Sequence, residues 1–272
     1  MSQNTIRTAV RERYGAIARG EESGCGCGPD CCGGDTDTLA SLDVGYTAEE
    51  LASIPADANL GLGSGHPTAA ADLQPGETVL DLGAGAGIDC FLASAKVGAE
   101  GKVIGVDMTP AMVEKARANA SNGGFQNVEF RLGEIEALPV ADAAVDVIVS
   151  NCVLNLSTQR QRAFQEAYRV LAPGGRLVVS DLLSGIDTPE ILNQFPEIAS
   201  GCLPIPEASY VAGLEAAGFT DVEIIEERSF AADKLPVNAE VLRKVEEAGG
   251  DLGELAAYAG SAKSAIVRAR KA

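Results

Sequence analysis

Two groups of residues in this 272-residue chain have types and spacing that can do chemistry: a glycine loop led by an acid, and a set of seven cysteines. The loop reads Asp81-Leu82-Gly83-Ala84-Gly85-Ala86-Gly87 and follows the apolar run Thr78-Val79-Leu80. Glycine suits such a turn because the missing Cβ permits unusual backbone angles and close approach of a ligand. A second acid, Asp107, closes the next apolar run, Val103-Ile104-Gly105-Val106, twenty residues past Gly87. A carboxylate there can accept both hydroxyls of a ribose. Four cysteines, Cys25, Cys27, Cys31 and Cys32, crowd a Gly-rich stretch, whereas Cys90, Cys152 and Cys202 are dispersed. In a cytosolic chain such thiols serve metal, redox or catalytic work more often than a disulfide framework.

The finer spacing of the loop separates two kinds of nucleotide cofactor. A pyrophosphate-binding turn reads G-x-G-x-x-G, while this one reads G-x-G-x-G behind Asp81. S-adenosylmethionine carries no phosphate, and the cationic amine of its amino-acid moiety suits an acid at the loop. The pattern resembles the first motif of the class I methyltransferases. Gly133-Glu134-Ile135 matches the place where those enzymes hold the adenine, and Arg169-Val170-Leu171-Ala172-Pro173-Gly174-Gly175 matches their entry to the fifth strand. The resemblance assigns Asp81, Gly83, Gly85, Gly87, Asp107, Met108, Glu134, Ile135 and Asn151 to the cofactor.

The fourth strand is expected to end in Ser150-Asn151-Cys152-Val153-Leu154-Asn155-Leu156. Enzymes that methylate amide or adenine nitrogens usually have Asp/Asn-Pro-Pro-Tyr/Phe here; this chain places a thiol instead. A hydroxyl or carbon acid needs a general base to become a nucleophile, and the one histidine, His66, lies upstream of the first strand. A substrate with its own lone pair, held by sulfur, needs none.

These stretches, together with Asn59-Leu60-Gly61-Leu62-Gly63, Gly87-Ile88-Asp89-Cys90, Gly105-Val106-Asp107-Met108-Thr109 and Gly201-Cys202, resemble the arsenite methyltransferase family. The resemblance implies transfer of methyl groups from S-adenosylmethionine to trivalent arsenic. The substrates are arsenite and methylated arsenicals as thiol complexes, and a reductant such as thioredoxin or glutathione supports turnover. Soft trivalent arsenic prefers thiolates, and the resemblance makes Cys152 and Cys202 its ligands. Cys90, early in a helix, is expected to be a small buried hydrophobe. The family commonly has a third cysteine in a Gly-Cys-Gly element, where this chain has Gly63-Ser64-Gly65. Cys25, Cys27, Cys31 and Cys32 can compensate by capturing arsenite, supplying the missing thiolate or resolving oxidised product, with Cys31 and Cys32 as transfer or resolving thiols. Zinc is the alternative for that set, although C-x-C-x-x-x-C-C is not a usual zinc spacing.

The elements that must position these residues alternate between short β-type runs and amphipathic helices, which predicts a parallel sheet covered by helices. Strands are expected at Thr78–Leu82, Lys102–Val106, Val128–Arg131, Val145–Ser150, Arg176–Ser180 and Val222–Ile225, with a final one at Ala265–Arg270. Helices are expected at residues 4–19, Thr47–Ser53, Asp89–Val97, Pro110–Asn119, Gln159–Leu171 and Glu207–Ala217, and a mobile loop at Gly20–Thr38. The fold class is α/β, a Rossmann-like, doubly wound, mostly parallel seven-stranded sheet. Three parts follow: residues 1–66, an N-terminal helical segment with the Cys/Gly-rich loop; 67–182, the cofactor-binding core; and 183–272, a substrate-side insertion and the completion of the sheet.

Composition narrows the function classes. A formal charge of -18 opposes tight binding to nucleic acid, which depends on Lys and Arg neutralising phosphates. No run of about 18 apolar residues offers a membrane span, and Met1-Ser2-Gln3-Asn4-Thr5-Ile6-Arg7 lacks the apolar core of a signal peptide, so the expected location is the cytoplasm. Two other functions remain open from the residues: methylation of quinone-like or other small carbon acids, and a non-catalytic thiol module that binds metalloids.

Overall fold

The run Thr78–Leu82 (β1) is apolar on both faces, as a strand covered by helices on both sides must be. In the computed structural model of the chain, which describes residues 3–22, 36–195, 201–229 and 239–272, it lies near the middle of one mixed sheet. The other strands are β2 (Lys102–Asp107), β3 (Val128–Leu132), β4 (Val145–Asn151), β5 (Leu171–Ser184), β6 (Ile205–Pro206), β7 (Thr220–Ser229) and β8 (Ala262–Arg270). Their order is β3-β2-β1-β4-β5-β8-β7, with the two-residue β6 pairing on β5. β8 runs antiparallel to both β5 and β7, and the remaining pairings are parallel. The order reverses between β1 and β4, which opens a crevice beyond their carboxyl ends.

The helices are α1 (Gln3–Ala18), α2 (Thr36–Asp43), α3 (Ala48–Ala52), α4 (Pro67–Ala70), α5 (Ile88–Val97), α6 (Pro110–Gly123), α7 (Arg160–Val170), α8 (Glu207–Ala217), α9 (Ala239–Glu247) and α10 (Leu252–Gly260). Alternate strand residues feed two cores. Leu80, Leu82, Ile104 and Ile148 pack against Phe164 of α7 and Tyr210 of α8, while Val79, Val103, Val147 and Val149 pack against Phe91 of α5 and Val113 of α6. Thr47 closes a capping box with Glu50 at the start of α3, and Gly218 ends α8 in the left-handed conformation.

Three differences from the sequence reading have local causes. Thr36–Thr38 belong to α2 rather than to the expected loop, whose residues 23–35 lie outside the described ones. β5 continues past Ser180 to Ser184 because β8 pairs with it along its length, from Arg176↔Arg270 to Ser184↔Ala262. α9 and α10 went unread because they follow the β/α alternation rather than take part in it. They bury Val245, Leu255 and Tyr258 against Leu192, and the Tyr258 hydroxyl donates to the Pro204 carbonyl at 2.6 Å, which anchors the segment before β6. Among the described residues, no helix is long and apolar enough to cross a membrane.

Candidate active site

The glycine loop turns directly off β1, and its three glycines do different work. Gly85, at φ +53°, has nothing within 4 Å of where a Cβ would stand, so its backbone is open to a ligand. A Cβ on Gly87, at φ +103°, would lie 2.7 Å from Phe91 and 2.9 Å from Phe130, so this glycine serves the packing of α5 on the sheet. Gly83 admits the side chain of Val153, which brings the turn after β4 against the loop.

Around the loop is a cleft of about 1090 Å³, its open mouth included. Asp81, Gly83, Gly85, Asp107, Met108, Ile135, Asn151 and Cys152 line it, as do Arg7, Val10 and Tyr14 of α1. Asp107 accepts backbone N–H groups from Gly85 (3.0 Å) and Thr109 (2.8 Å), which fixes the carboxylate at the end of β2. Burial raises its pKa against those bonds. Asp81 is buried behind the loop and accepts the Cys90 thiol at 3.2 Å; burial and then the charge of Asp89 hold it well above the usual carboxylate range. Asp89 accepts hydrogen bonds from Tyr46 (2.9 Å), Thr68 (2.6 Å) and the Asn151 amide (3.2 Å). Four acidic residues on one cleft, Asp81, Asp89, Asp107 and Glu136, against the one cation of Arg7, fit a ligand that carries positive charge and hydroxyls better than a phosphate.

Cys152 is the first residue past β4 and stands at φ +61°, a left-handed conformation unusual for a side chain with a Cβ. Its N–H donates to the Ser180 carbonyl at 2.7 Å. The Cys202 thiol donates to the Cys152 carbonyl at 3.2 Å and its side chain packs against Cys152; the neighbouring thiol and burial raise the Cys152 pKa. Ser64 is buried beside them: its hydroxyl reaches Cys152 and lies 3.0 Å from the Ser180 hydroxyl, and its N–H donates to Asn151 at 2.9 Å. Tyr14 stands over the pair, its hydroxyl 4.0 Å from the Cys202 sulfur. The arrangement is a pair of thiols at the edge of a cleft built for a cation, with a serine at the third corner.

The sequence candidates divide accordingly. Cys25, Cys27, Cys31 and Cys32 lie outside the described residues. Cys90 is buried against Asp81, apart from the thiol pair. Glu134 is not on the cleft wall; Arg7 (3.1 Å) and Arg11 (2.5 Å) of α1 hold its carboxylate, while its neighbours Gly133 and Ile135 face the cleft. Tyr14 and Asp89 join the site only in three dimensions. Asp89 sits inside a quoted motif, but nothing local to Tyr14 signals its role.

The comparisons with known proteins agree with this geometry. Residues 73–212 match the methyltransferase domain family. An arsenite methyltransferase of Halobacterium salinarum is 49% identical over 229 residues, 80% of this chain and 58% of that protein. One from Aquipseudomonas alcaligenes is 41% identical over 167 residues, 57% of this chain and 48% of that protein. The chain thus spans about half the length of these curated relatives. The crystal structure of an arsenic (III) S-adenosylmethionine methyltransferase from Chlamydomonas reinhardtii superposes with a TM-score of 0.60 at 31% identity, covering 86% of this chain and 72% of that one. With motif, cleft, thiol pair and relatives in agreement, the chain belongs to the methyltransferase domain family and, within it, to the arsenite S-adenosylmethionine methyltransferases.

Proposed function

We propose that this chain methylates trivalent arsenic held as a thiolate complex by Cys152 and Cys202, with S-adenosylmethionine as the methyl donor. The observation that carries the reading is that Cys202 packs against Cys152, its thiol donating to the Cys152 carbonyl, where Cys152 follows β4 on the cleft of the glycine loop. Asp81, Asp107 and the backbone at Gly83 and Gly85 would hold the cofactor, with Met108, Ile135 and Asn151 completing its walls; Gly87 shapes the loop, and Glu134 steadies α1 beside it. S-adenosylmethionine supplies an electrophilic methyl group, which the lone pair of arsenic can take without a general base.

Each thiol would give up its proton as its bond to arsenic forms, so the raised pKa of Cys152 slows loading and does not forbid it. The Ser64 hydroxyl is a poor ligand for a soft centre. The third valence of arsenic therefore falls to a thiol from outside the core, either a small reductant such as glutathione or one of Cys25, Cys27, Cys31 and Cys32. Thioredoxin or glutathione would return oxidised thiols to the working state. The N-terminal part (1–66) would wall the substrate side of the core (67–182) through α1, which lines the cleft, and the C-terminal part (183–272) would bring Cys202 to Tyr14 at its edge. A reduced cytoplasmic setting suits the free thiols, and the acidic chain suits small substrates over nucleic acid.

Purified protein with S-adenosylmethionine, arsenite and glutathione is expected to yield methylated arsenicals, and Cys152→Ser or Cys202→Ser to lower the rate by at least about 100-fold (about 2.7 kcal/mol). No methylated product, or full activity in Cys202→Ser, would overturn the reading. Serine at Cys25, Cys27, Cys31 and Cys32 is the clean test of that set and is expected to slow turnover. Deleting residues 1–38 would also remove the wall formed by Arg7, Val10 and Tyr14.

A further inference from the structure

Two thiols act on one arsenic atom only if their separation is held, and they come from segments fifty residues apart. Asn155 joins those segments. It sits in the short 3-10 turn Leu154–Leu156, three residues past Cys152, and is 7% exposed. Its amide nitrogen donates to the carbonyls of Leu182 (2.8 Å) and Leu203 (2.7 Å), and its oxygen accepts the Leu182 N–H at 3.0 Å. Leu203 directly follows Cys202, and Leu182 lies two residues beyond Ser180, the acceptor of the Cys152 N–H. The segment from Cys152 to Asn155 is thus pinned to β5 at both ends and bonded to the segment that carries the other thiol.

We propose that Asn155 is a positioning residue that sets the Cys152 to Cys202 separation for two-thiolate binding of arsenic; the inference rests on the function proposed above. Only a side chain with two donors and an acceptor on one planar head can make all three bonds. Aspartate has the same shape without the donors, and would set a carboxylate against two carbonyls. A pinned pair closes a chelate at high effective concentration, whereas a loosened pair binds each valence separately.

Phenylarsine oxide is a suitable probe because its aryl carbon leaves two exchangeable valences. The balance is protein(SH)2 + C6H5AsO → protein(S2As–C6H5) + H2O: two As–S bonds form, the oxygen leaves as water with both thiol protons, and nothing is oxidised or reduced. A second arm uses diamide, which takes two hydrogens as it oxidises Cys152 and Cys202 to a disulfide and reports thiol proximity without arsenic.

Both arms use the full chain, with the modified cysteines assigned by peptide mass spectrometry. Asn155→Asp is expected to bind S-adenosylmethionine within about two-fold of the parent, to bind phenylarsine oxide at least about tenfold more weakly, and to cross-link at least about tenfold more slowly. Parental affinity through both thiols together with parental cross-linking would overturn the proposal. So would a variant that melts earlier and binds S-adenosylmethionine less well but cross-links normally once folded, since that is the mark of a purely structural residue. Asn155→Ser, which keeps one donor on a shorter stem, carries the same outcomes where Asn155→Asp does not fold. If the parent itself fails to bind phenylarsine oxide through Cys152 and Cys202, the arsenic reading falls, and the diamide arm still decides the role of Asn155.

Discussion

Asp181 shows how much one residue's environment matters beside the thiols. It is fully buried in β5, accepts the Tyr210 hydroxyl at 2.6 Å, and is pushed up to about 7 by burial, against the opposing effects of Tyr210, Arg160 and the backbone N–H groups of Asn155 and Leu154. Its folded pKa lies above the unfolded value of about 3.9, so between those values the folded chain binds more protons than the unfolded one. Its contribution to stability therefore falls as pH rises from about 4 to about 7 and is level above that. Asp181→Asn keeps an acceptor for Tyr210 and removes the titration. Relative to that variant, the parent is expected to lose on the order of 4 kcal/mol across the window, measured by denaturant unfolding at several pH values; a difference independent of pH would contradict the assignment.

At the scale of elements, the strand-to-helix turn after β1 depends on where each glycine points. Gly87→Ala would strain a φ of +103° and drive a methyl into Phe91 and Phe130, both aromatic rings of the core. A loss of about 2 to 4 kcal/mol is expected from urea unfolding, with weaker cofactor binding because Gly83 to Gly87 move as one turn. Gly174→Ala provides the contrast: its φ is +79° but a Cβ would meet nothing within 4 Å, so the backbone cost of about 1 kcal/mol should stand alone. Equal losses at the two positions would show that the ring contacts do not matter. α1 depends on pairing in the same way, since Arg7 and Arg11 hold it to Glu134 across the edge of the cleft.

For the whole molecule, the cleft is a meeting point of parts far apart in the chain: α1, the Gly63-Ser64-Gly65 turn, the ends of β1, β2 and β4, and the turn after β4. A ligand that binds across them stabilises the folded state as a unit. S-adenosylmethionine at about 100 times its dissociation constant is expected to add about 2.7 kcal/mol, a rise in melting temperature of roughly 5 to 10 °C for a chain of this size. Absence of a shift at saturating cofactor would contradict the cleft assignment. The charge of -18 and the carboxylates of the cleft act in one direction, favouring a cationic cofactor.

The alternation of apolar runs with amphipathic helices, the turn Gly83-Ala84-Gly85, Asp107 at its distance, and the paired motifs around Cys152 and Cys202 were all legible from the sequence by itself. Each is a local pattern, set by side-chain periodicity or by the needs of one turn. Tertiary structure decided the rest. Tyr14 reaches Cys202 from 188 residues away, Ser64 takes the third corner beside Cys152, Glu134 is drawn to α1, and Cys152 adopts a left-handed backbone. The amide of Asn155 became more than a motif letter only once its three backbone partners were in place. Such contacts join segments whose separation along the chain carries no periodic signal, so packing alone brings them together.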